Sequence, residues 1–237
     1  MKCGFVSLVG RPNVGKSTLL NSILGMKLAI TSNVSGTTRN IIEGIYNDDE
    51  SQIIFVDTPG IHKPSNKLGT LMNKKAYTYT EGVDVILFLI DISKGFGKGD
   101  QFILDRIKEK DANVFLLLNK IDLVKDKKVL LERINELKEL YDFKEIIPIS
   151  AMKNDNVSVL IECIKKYLPE MGAIYSEEDL TNVTTKFIMG EFVREKILEL
   201  THDEIPHTVT CYVENYEEDE KTVHIPVSYT HLTLPTK

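Results

Sequence analysis

The sequence predicts an α/β protein, a mainly parallel sheet with helices on both faces, followed by a smaller α+β unit. Three observations carry that expectation. Four short runs beginning at Phe5, Gln52, Asp84 and Asn113 are nearly continuous in apolar residues, as strands buried on both faces of a parallel sheet must be. Helical patterns alternate with these runs, which places helices over both faces of an open sheet. A glycine-rich turn joins the first run to the first helical pattern, and helix N-termini of that kind attract anions.

In chain order, strands are expected over residues 5–10, 41–46, 52–57, 84–90, 113–119 and 145–150. Helices are expected between them, over 16–24, 68–80, 100–110, 128–140 and 157–168. The second strand has a polar residue at about every other step, which suits a sheet edge. No internal repeat or low-complexity tract interrupts this alternation. The texture changes after Pro169: residues 169–185 are polar, broken by Pro and Gly, and read as a linker. Residues 186–201 carry apolar side chains at loose helical spacing, and 208–216 with 221–227 read as a hairpin across the acidic turn "EEDE". The expected organisation is a first domain over 1–170, a linker over 171–185 and a small second unit over 186–227.

Composition agrees with a soluble domain plus a smaller one. Of 237 residues, 42% are hydrophobic and 27% charged, enough for a real core. The longest apolar run, residues 83–90, contains an Asp and is far too short to cross a bilayer. No basic, apolar leader stands before the first strand. Cys3, Cys163 and Cys211 lack metal-ligand spacing and read as reduced and structural, so the expected compartment is the cytoplasm. Residues 173–237 hold 13 acidic and 5 basic side chains, a net of −8, against +2 for the first 172. A segment that acidic does not bind nucleic acid by bulk electrostatics.

Three motifs carry the chemistry. Gly10, Arg11, Pro12, Asn13, Val14, Gly15, Lys16 and Ser17 fit G-x-x-x-x-G-K-[ST], with Thr18 next on the helix. Its glycines let backbone N–H groups turn toward phosphate oxygens, Lys16 reaches the β and γ phosphates, and the Ser17 hydroxyl binds Mg²⁺. A glycine turn with a chance Lys-Ser is the bland alternative, and the loop alone does not tell ATP from GTP. Asn119-Lys120-Ile121-Asp122 ends the fifth expected strand, where open α/β sheets bind ligands. A carboxylate there accepts both N1–H and N2–H of guanine, a pair that adenine lacks. The Asn braces the loop and the Lys stem lies over the base. Asp57-Thr58-Pro59-Gly60 ends the third strand; its Asp is placed to hold a water of the Mg²⁺ shell and its Gly60 N–H to reach a γ-phosphate. Alone it would read as a Pro-Gly turn with a capping Asp. A threonine of "SGTTRN", residues 35–40, is placed to complete the Mg²⁺ shell, and Ser150-Ala151 to offer a backbone N–H to the guanine oxygen.

The ordered set "GRPNVGKS", "TTR", "DTPG", "NKID", "SA" is similar to that of translation-factor-class GTPases. With "FVREKILELTHDEIPHTV" over residues 192–209, it resembles the Era family of bacterial GTPases, from about Phe5 to Val227. The resemblance implies a P-loop GTPase domain followed by an incomplete α+β KH-type domain. It implies binding of GTP and GDP, hydrolysis of GTP, and maturation of the 30S ribosomal subunit through the 3′ end of 16S rRNA. Contact with the inner face of the cell membrane is a further family property. Thr38 becomes the switch I threonine on Mg²⁺, residues 31–40 switch I and 58–80 switch II. Lys16, Thr38 and Gly60 become the catalytic set, with Ser17, Thr38 and Asp57 around Mg²⁺. Ile61 stands where Ras-like enzymes carry a water-orienting glutamine, so slow intrinsic hydrolysis is expected. Asn13 resembles the asparagine that lets related GTPases bind K⁺ in place of an arginine finger. A KH fold clamps RNA with a GXXG loop, and no G-x-x-G follows Thr185. Residues 228–237 do not resemble the family, are expected to be a non-native tail on a C-terminally truncated chain, and are left out of the fold reasoning. A binding switch with negligible turnover and other Era-related GTPases are the alternatives.

Overall fold

The computed structural model describes residues 1–32, 37–62, 67–201, 209–215, 217–218 and 223–231. The first unit runs β1 (Lys2–Gly10), α1 (Lys16–Leu24), β2 (Ile42–Asn47), β3 (Ser51–Asp57), α2 (Lys67–Thr78), β4 (Val85–Asp91), α3 (Lys98–Ile107), β5 (Asn113–Asn119), α4 (Lys127–Leu137), β6 (Glu145–Pro148) and α5 (Val157–Lys165). Its six strands form one sheet in the order β2-β3-β1-β4-β5-β6. All neighbours are parallel except β2, which runs antiparallel to β3 from the sheet edge. The continuous apolar runs therefore occupy the four central positions, and the alternating strand lies outside them, because only an edge strand tolerates polar side chains at every second step.

The sheet separates two cores. On one face Val6, Leu8, Phe55 and Leu87 pack under Leu19 and Leu20 of α1 and Leu160 and Ile164 of α5. On the other, Val9, Phe88 and Leu116 pack with Ala76 of α2, Ile103 and Leu104 of α3 and Leu137 of α4. Emptying a site such as Phe88, fully buried, would cost about 3–5 kcal/mol. Local chemistry sets the helix ends. Gly25 closes α1 at φ +65, a left-handed position that glycine adopts without strain. Asp126 caps α4 by accepting from the Lys128 N–H. The predicted helices begin within two residues of the observed ones, while α2 to α5 stop two to three residues earlier than expected. The sixth strand ends at Pro148, and Ser150 instead bridges to Asp155.

The stretch read as a linker is docked along the sheet edge. Residues 170 and 181 form isolated antiparallel bridges to Lys2 and Gly44. The Ile45 N–H donates to Leu180 O, the Thr181 hydroxyl to Glu43 O, and the Gln52 side chain bonds Tyr175 N–H and O together. This strap supplies partners to the open side of β2, which an uncovered edge would leave to another chain.

Behind it come α6 (Thr185–Leu200), β7 (Val209–Val213), β8 (Glu217–Glu218), β9 (Val223–His224) and β10 (Val227–His231). The Thr184 hydroxyl caps α6 by accepting from Phe187 N–H at 3.3 Å. Here the expected hairpin is corrected. Among the described residues, the strand expected over 221–227 does not pair along its length with the one before it: Val223–His224 meets Glu217–Glu218. The long partner of β7 is β10, registered Val213↔Val227 to Val209↔His231. Residues 228–231, set aside as tail, are thus inside the fold, because a Val-Ser-Tyr-Thr run with strand propensity meets the open edge of β7. Residues 232–237, Thr208, Tyr216 and the second half of the acidic turn lie outside the described residues.

Candidate functional site

The residues picked out by motif converge at the C-terminal ends of β1, β3 and β5. The loop between β1 and α1 turns through two left-handed residues, Asn13 at φ +63 and Gly15 at φ +103. Glycine is required at the second, since a Cβ there would lie 2.2 Å from the Asn119 amide nitrogen. Val14 is buried, Pro12, Ser17 and Thr18 partly so, and Arg11 and Asn13 exposed. The Arg11 guanidinium pairs with Asp100 at 3.2 Å. Lys16 is 5% exposed, and its ammonium donates to Gly10 O at 3.2 Å and Arg11 O at 3.1 Å. Burial pushes its pKa down to about 8, against the opposing charge of Asp57. A buried, partly desolvated ammonium folded back on the loop carbonyls is poised for an anionic partner.

Asp57 faces it from the end of β3. Burial raises this carboxyl to about 6, while the Lys16 charge and the Ser17 hydroxyl pull the other way. One oxygen, Oδ2, accepts from Ser17 Oγ at 2.6 Å; Oδ1 is buried with no hydrogen-bond partner among the described residues. Thr38 Oγ1 lies 3.1 Å from Ser17 Oγ. Two hydroxyls and a carboxylate with an orphaned oxygen form a hard donor set, the kind that suits Mg²⁺. The residues present fit that ion. Thr58 and Gly60 serve the same loop: the Thr58 hydroxyl donates to Leu8 O at 2.7 Å, and a Cβ on Gly60 would lie 2.7 Å from Pro12 N. Pro59 is buried between them. Ile61 is fully buried in the core beneath α2 and α3. Part of each expected switch, residues 33–36 and 63–66, lies outside the described residues.

Asn119 joins three segments. Its Nδ2 donates to Val14 O at 2.7 Å, and its Oδ1 accepts from Lys120 N–H at 2.8 Å and Ala151 N–H at 3.0 Å. Lys120, left-handed at φ +68, sends its ammonium to Asn13 O and Asp91 Oδ2, both at 2.8 Å. Asp122 stands exposed on the next turn, one oxygen accepting from Ser150 Oγ at 2.6 Å. The N–H groups of Ser150 and Ala151, expected to face the base, already donate to Asp155 O and Asn119 Oδ1. What this segment contributes here is the Ser150 hydroxyl that orients Asp122.

Sequence reasoning missed a second set of contacts. Three acidic or basic side chains of α6, Glu191, Arg194 and Glu195, are buried against the segments around Thr31 and Thr37. The signal present in the sequence was three charges at i, i+3 and i+4 on one helix face, in a helix whose apolar spacing was only loose.

A family described as 50S ribosome-binding GTPase matches residues 5–120. A solved structure of Era in complex with MgGDPNP and nucleotides 1506–1542 of 16S ribosomal RNA is 39% identical, with a TM-score of 0.91, covering 97% of this chain and 78% of that one. A variant of Aquifex aeolicus Era bound to GDP.AlF4⁻ is 38% identical at a TM-score of 0.90, covering 97% and 79%. The FeoB G-domain of Methanococcus jannaschii is more distant, 25% identical with a TM-score of 0.54, covering 70% of this chain and 98% of that one. The first two likenesses extend past the sheet through the strap and α6, and on that extent and identity the chain belongs to the Era family of GTPases.

Proposed function

We propose that this chain binds GTP and GDP in the cleft closed by Asn119 and hydrolyses GTP to GDP and phosphate with Mg²⁺. The observation that carries the reading is the joint made by Asn119, which ties the phosphate loop at Val14 to the loop bearing Asp122. A nucleotide spanning the two ends of that joint meets phosphate-directed groups at one and a carboxylate suited to guanine at the other. Ser17, Thr38 and Asp57 would hold Mg²⁺, which when bound screens the charge of the β and γ phosphates. Lys16 exchanges two loop carbonyls for phosphate oxygens, a stronger, charge-assisted partner. The close packing of Gly60 on Pro12 keeps its N–H beside the phosphate loop, where a γ-phosphate would find it. Fluorescent GDP binding tests this: Lys16→Ala loses both nucleotides, and Asp122→Asn shifts preference from guanine to xanthine. Retained guanine preference in that variant sinks the base-reading role.

A second reading is a binding switch with negligible turnover. It is favoured by Ile61, whose side chain is directed into the core and cannot orient an attacking water. Single-turnover hydrolysis separates the two. Stimulation by K⁺ through Asn13 would supply transition-state charge; equal rates in KCl and NaCl, with Asn13→Ala no slower, count against it.

The cellular role we infer is 30S subunit assembly through the 3′ end of 16S rRNA, in the cytoplasm with peripheral contact at the cell membrane. Family membership and the Era complex with 16S RNA support the rRNA part of that reading. The small unit, α6 with β7 and β10, is read as part of a KH-type domain. Its acidic balance and the missing G-x-x-G weigh against tight RNA binding by this chain. Gel shift with a 3′-end 16S oligonucleotide tests that point, and fractionation of cells tests the compartment.

A further inference from the structure

The second unit reaches the nucleotide site through buried charges. On α6, Glu191, Arg194 and Glu195 are 7%, 2% and 1% exposed. Burying three charges on one helical face is costly unless each finds a partner of good geometry. Glu191 grips the Arg194 guanidinium with both oxygens, Nε at 2.8 Å and Nη2 at 2.5 Å. Held in that fork, Arg194 Nη2 also donates to Thr37 O at 2.6 Å. One turn on from Glu191, Glu195 accepts from the Thr31 N–H at 2.9 Å and pairs with Lys27. Arg39, two residues past Thr37, donates to Val209 O of β7 at 2.8 Å.

The contact at Thr37 bears on the neighbouring side chain. The carbonyl that Arg194 holds belongs to the Thr37–Thr38 peptide. That unit is planar and rigid, so holding its oxygen restricts where the Cα of Thr38 can lie. The Thr38 φ and χ1 then bring its hydroxyl to Ser17, where it is found at 3.1 Å. Stability is a poor explanation for the arrangement. Arg194 Nη1 is buried without a hydrogen-bond partner among the described residues, and apolar side chains in place of both Glu191 and Arg194 would avoid the desolvation of the whole pair. A bidentate fork on a rigid helix is instead a device for placing one atom.

We propose that Arg194, aligned by Glu191, is a positioning residue for Thr38: it sets the Thr37–Thr38 peptide so that the Thr38 hydroxyl joins the cation site, and so favours the triphosphate over the diphosphate. The inference rests on the reading of Thr38 as a Mg²⁺ group that is engaged when a γ-phosphate is present. The partners of Arg194 in this arrangement are Glu191 and the Thr37 carbonyl. Its effect passes through one peptide plane.

The test compares affinities of the 237-residue chain for GDP and for GDPNP, at several Mg²⁺ concentrations, in the unsubstituted protein and in Arg194→Lys and Arg194→Met. The Met variant should weaken GDPNP binding about 5- to 150-fold, the usual range of coupling between sites, and raise the Mg²⁺ needed to retain GDPNP. GDP affinity should change less than about twofold on the same scale. Arg194→Lys keeps the charge beside Glu191 but cannot hold Glu191 and Thr37 O together, so it should lose most of the preference while remaining folded. Equal loss for both nucleotides in the Lys variant, or no loss for either, overturns the positioning role. If the unsubstituted chain binds neither nucleotide, the site reading itself fails and this role with it.

Discussion

Removing the Asn119 side chain should open the nucleotide site and destabilise the fold together. Asn119 is 2% exposed and makes three hydrogen bonds, to Val14 O at 2.7 Å, from Lys120 N–H at 2.8 Å and from Ala151 N–H at 3.0 Å. Asn119→Ala leaves those three backbone groups without their partner. The bonds to Val14 and Ala151 are wholly buried, and each orphaned group costs about 1–3 kcal/mol. Lys120 N–H is only partly buried and adds less. A water admitted to the space would restore part of the loss, so the expected destabilisation is about 2–4 kcal/mol, a large share of a typical domain's 5–15 kcal/mol. Urea unfolding of the nucleotide-free chain measures that figure, and fluorescent GDP titration measures the loss of affinity from an unbraced phosphate loop. Asn119→Asp tests the geometry separately. It keeps an acceptor for Lys120 and Ala151 but sets an oxygen against Val14 O, so it should also weaken GDP binding. A loss below about 1 kcal/mol in the Ala variant, with GDP affinity intact, would refute the account of Asn119 as the joint between the two loops.

Two further outcomes follow from burial and charge. Ile61→Gln should lower stability by about 2–4 kcal/mol, because it places an amide in an apolar core, and single-turnover hydrolysis should not rise; a tenfold acceleration would mean the side chain can leave the core and reach the water. Asp48→Asn should remove the tie between the β2–β3 turn and Lys165 of α5, a contact of 2.7 Å. Burial alone would raise the Asp48 carboxyl, but hydrogen bonds from Lys165, Glu50 N–H and Ser51 outweigh it and bring the pKa to about 2. That is below the unfolded value of about 3.9, so the stabilisation is full above that pH and fades as pH falls toward 2. Unfolding at pH 7 should show a deficit of about 1 kcal/mol in the variant, narrowing between pH 4 and 2. A gap independent of pH would place the effect elsewhere.

Much of the site was legible because its parts are local. A phosphate loop is a run of consecutive residues whose backbone path follows from Gly10, Gly15 and the helix that starts at Lys16, and so its candidate residues could be named one by one. The same holds for the Asn119–Asp122 turn, whose role as a brace was readable from residue types. Its partners were not. That Ser150 would give its hydroxyl to Asp122, and that Ala151 N–H would turn to Asn119 rather than outward, depends on where the β6–α5 loop lands beside the end of β5. The strap along β2 was opaque for a related reason. Its polar, Pro- and Gly-broken composition is that of a free linker, and only the open edge of β2 turns those polar groups into hydrogen-bond partners.

In the first unit, which segments are strands and helices and which strands are buried on both faces could be read before any fold was known. Those properties reside in apolar periodicity and in backbone freedom at single residues, and both are written within a few neighbouring positions. The strand order β2-β3-β1-β4-β5-β6, the pairing of β7 with β10, and the seating of Glu191, Arg194 and Glu195 against Thr31 and Thr37 emerged only in three dimensions. Each of these joins positions far apart in the chain. Their energies come from matching edges, charges and desolvated surfaces that do not exist until the chain has folded.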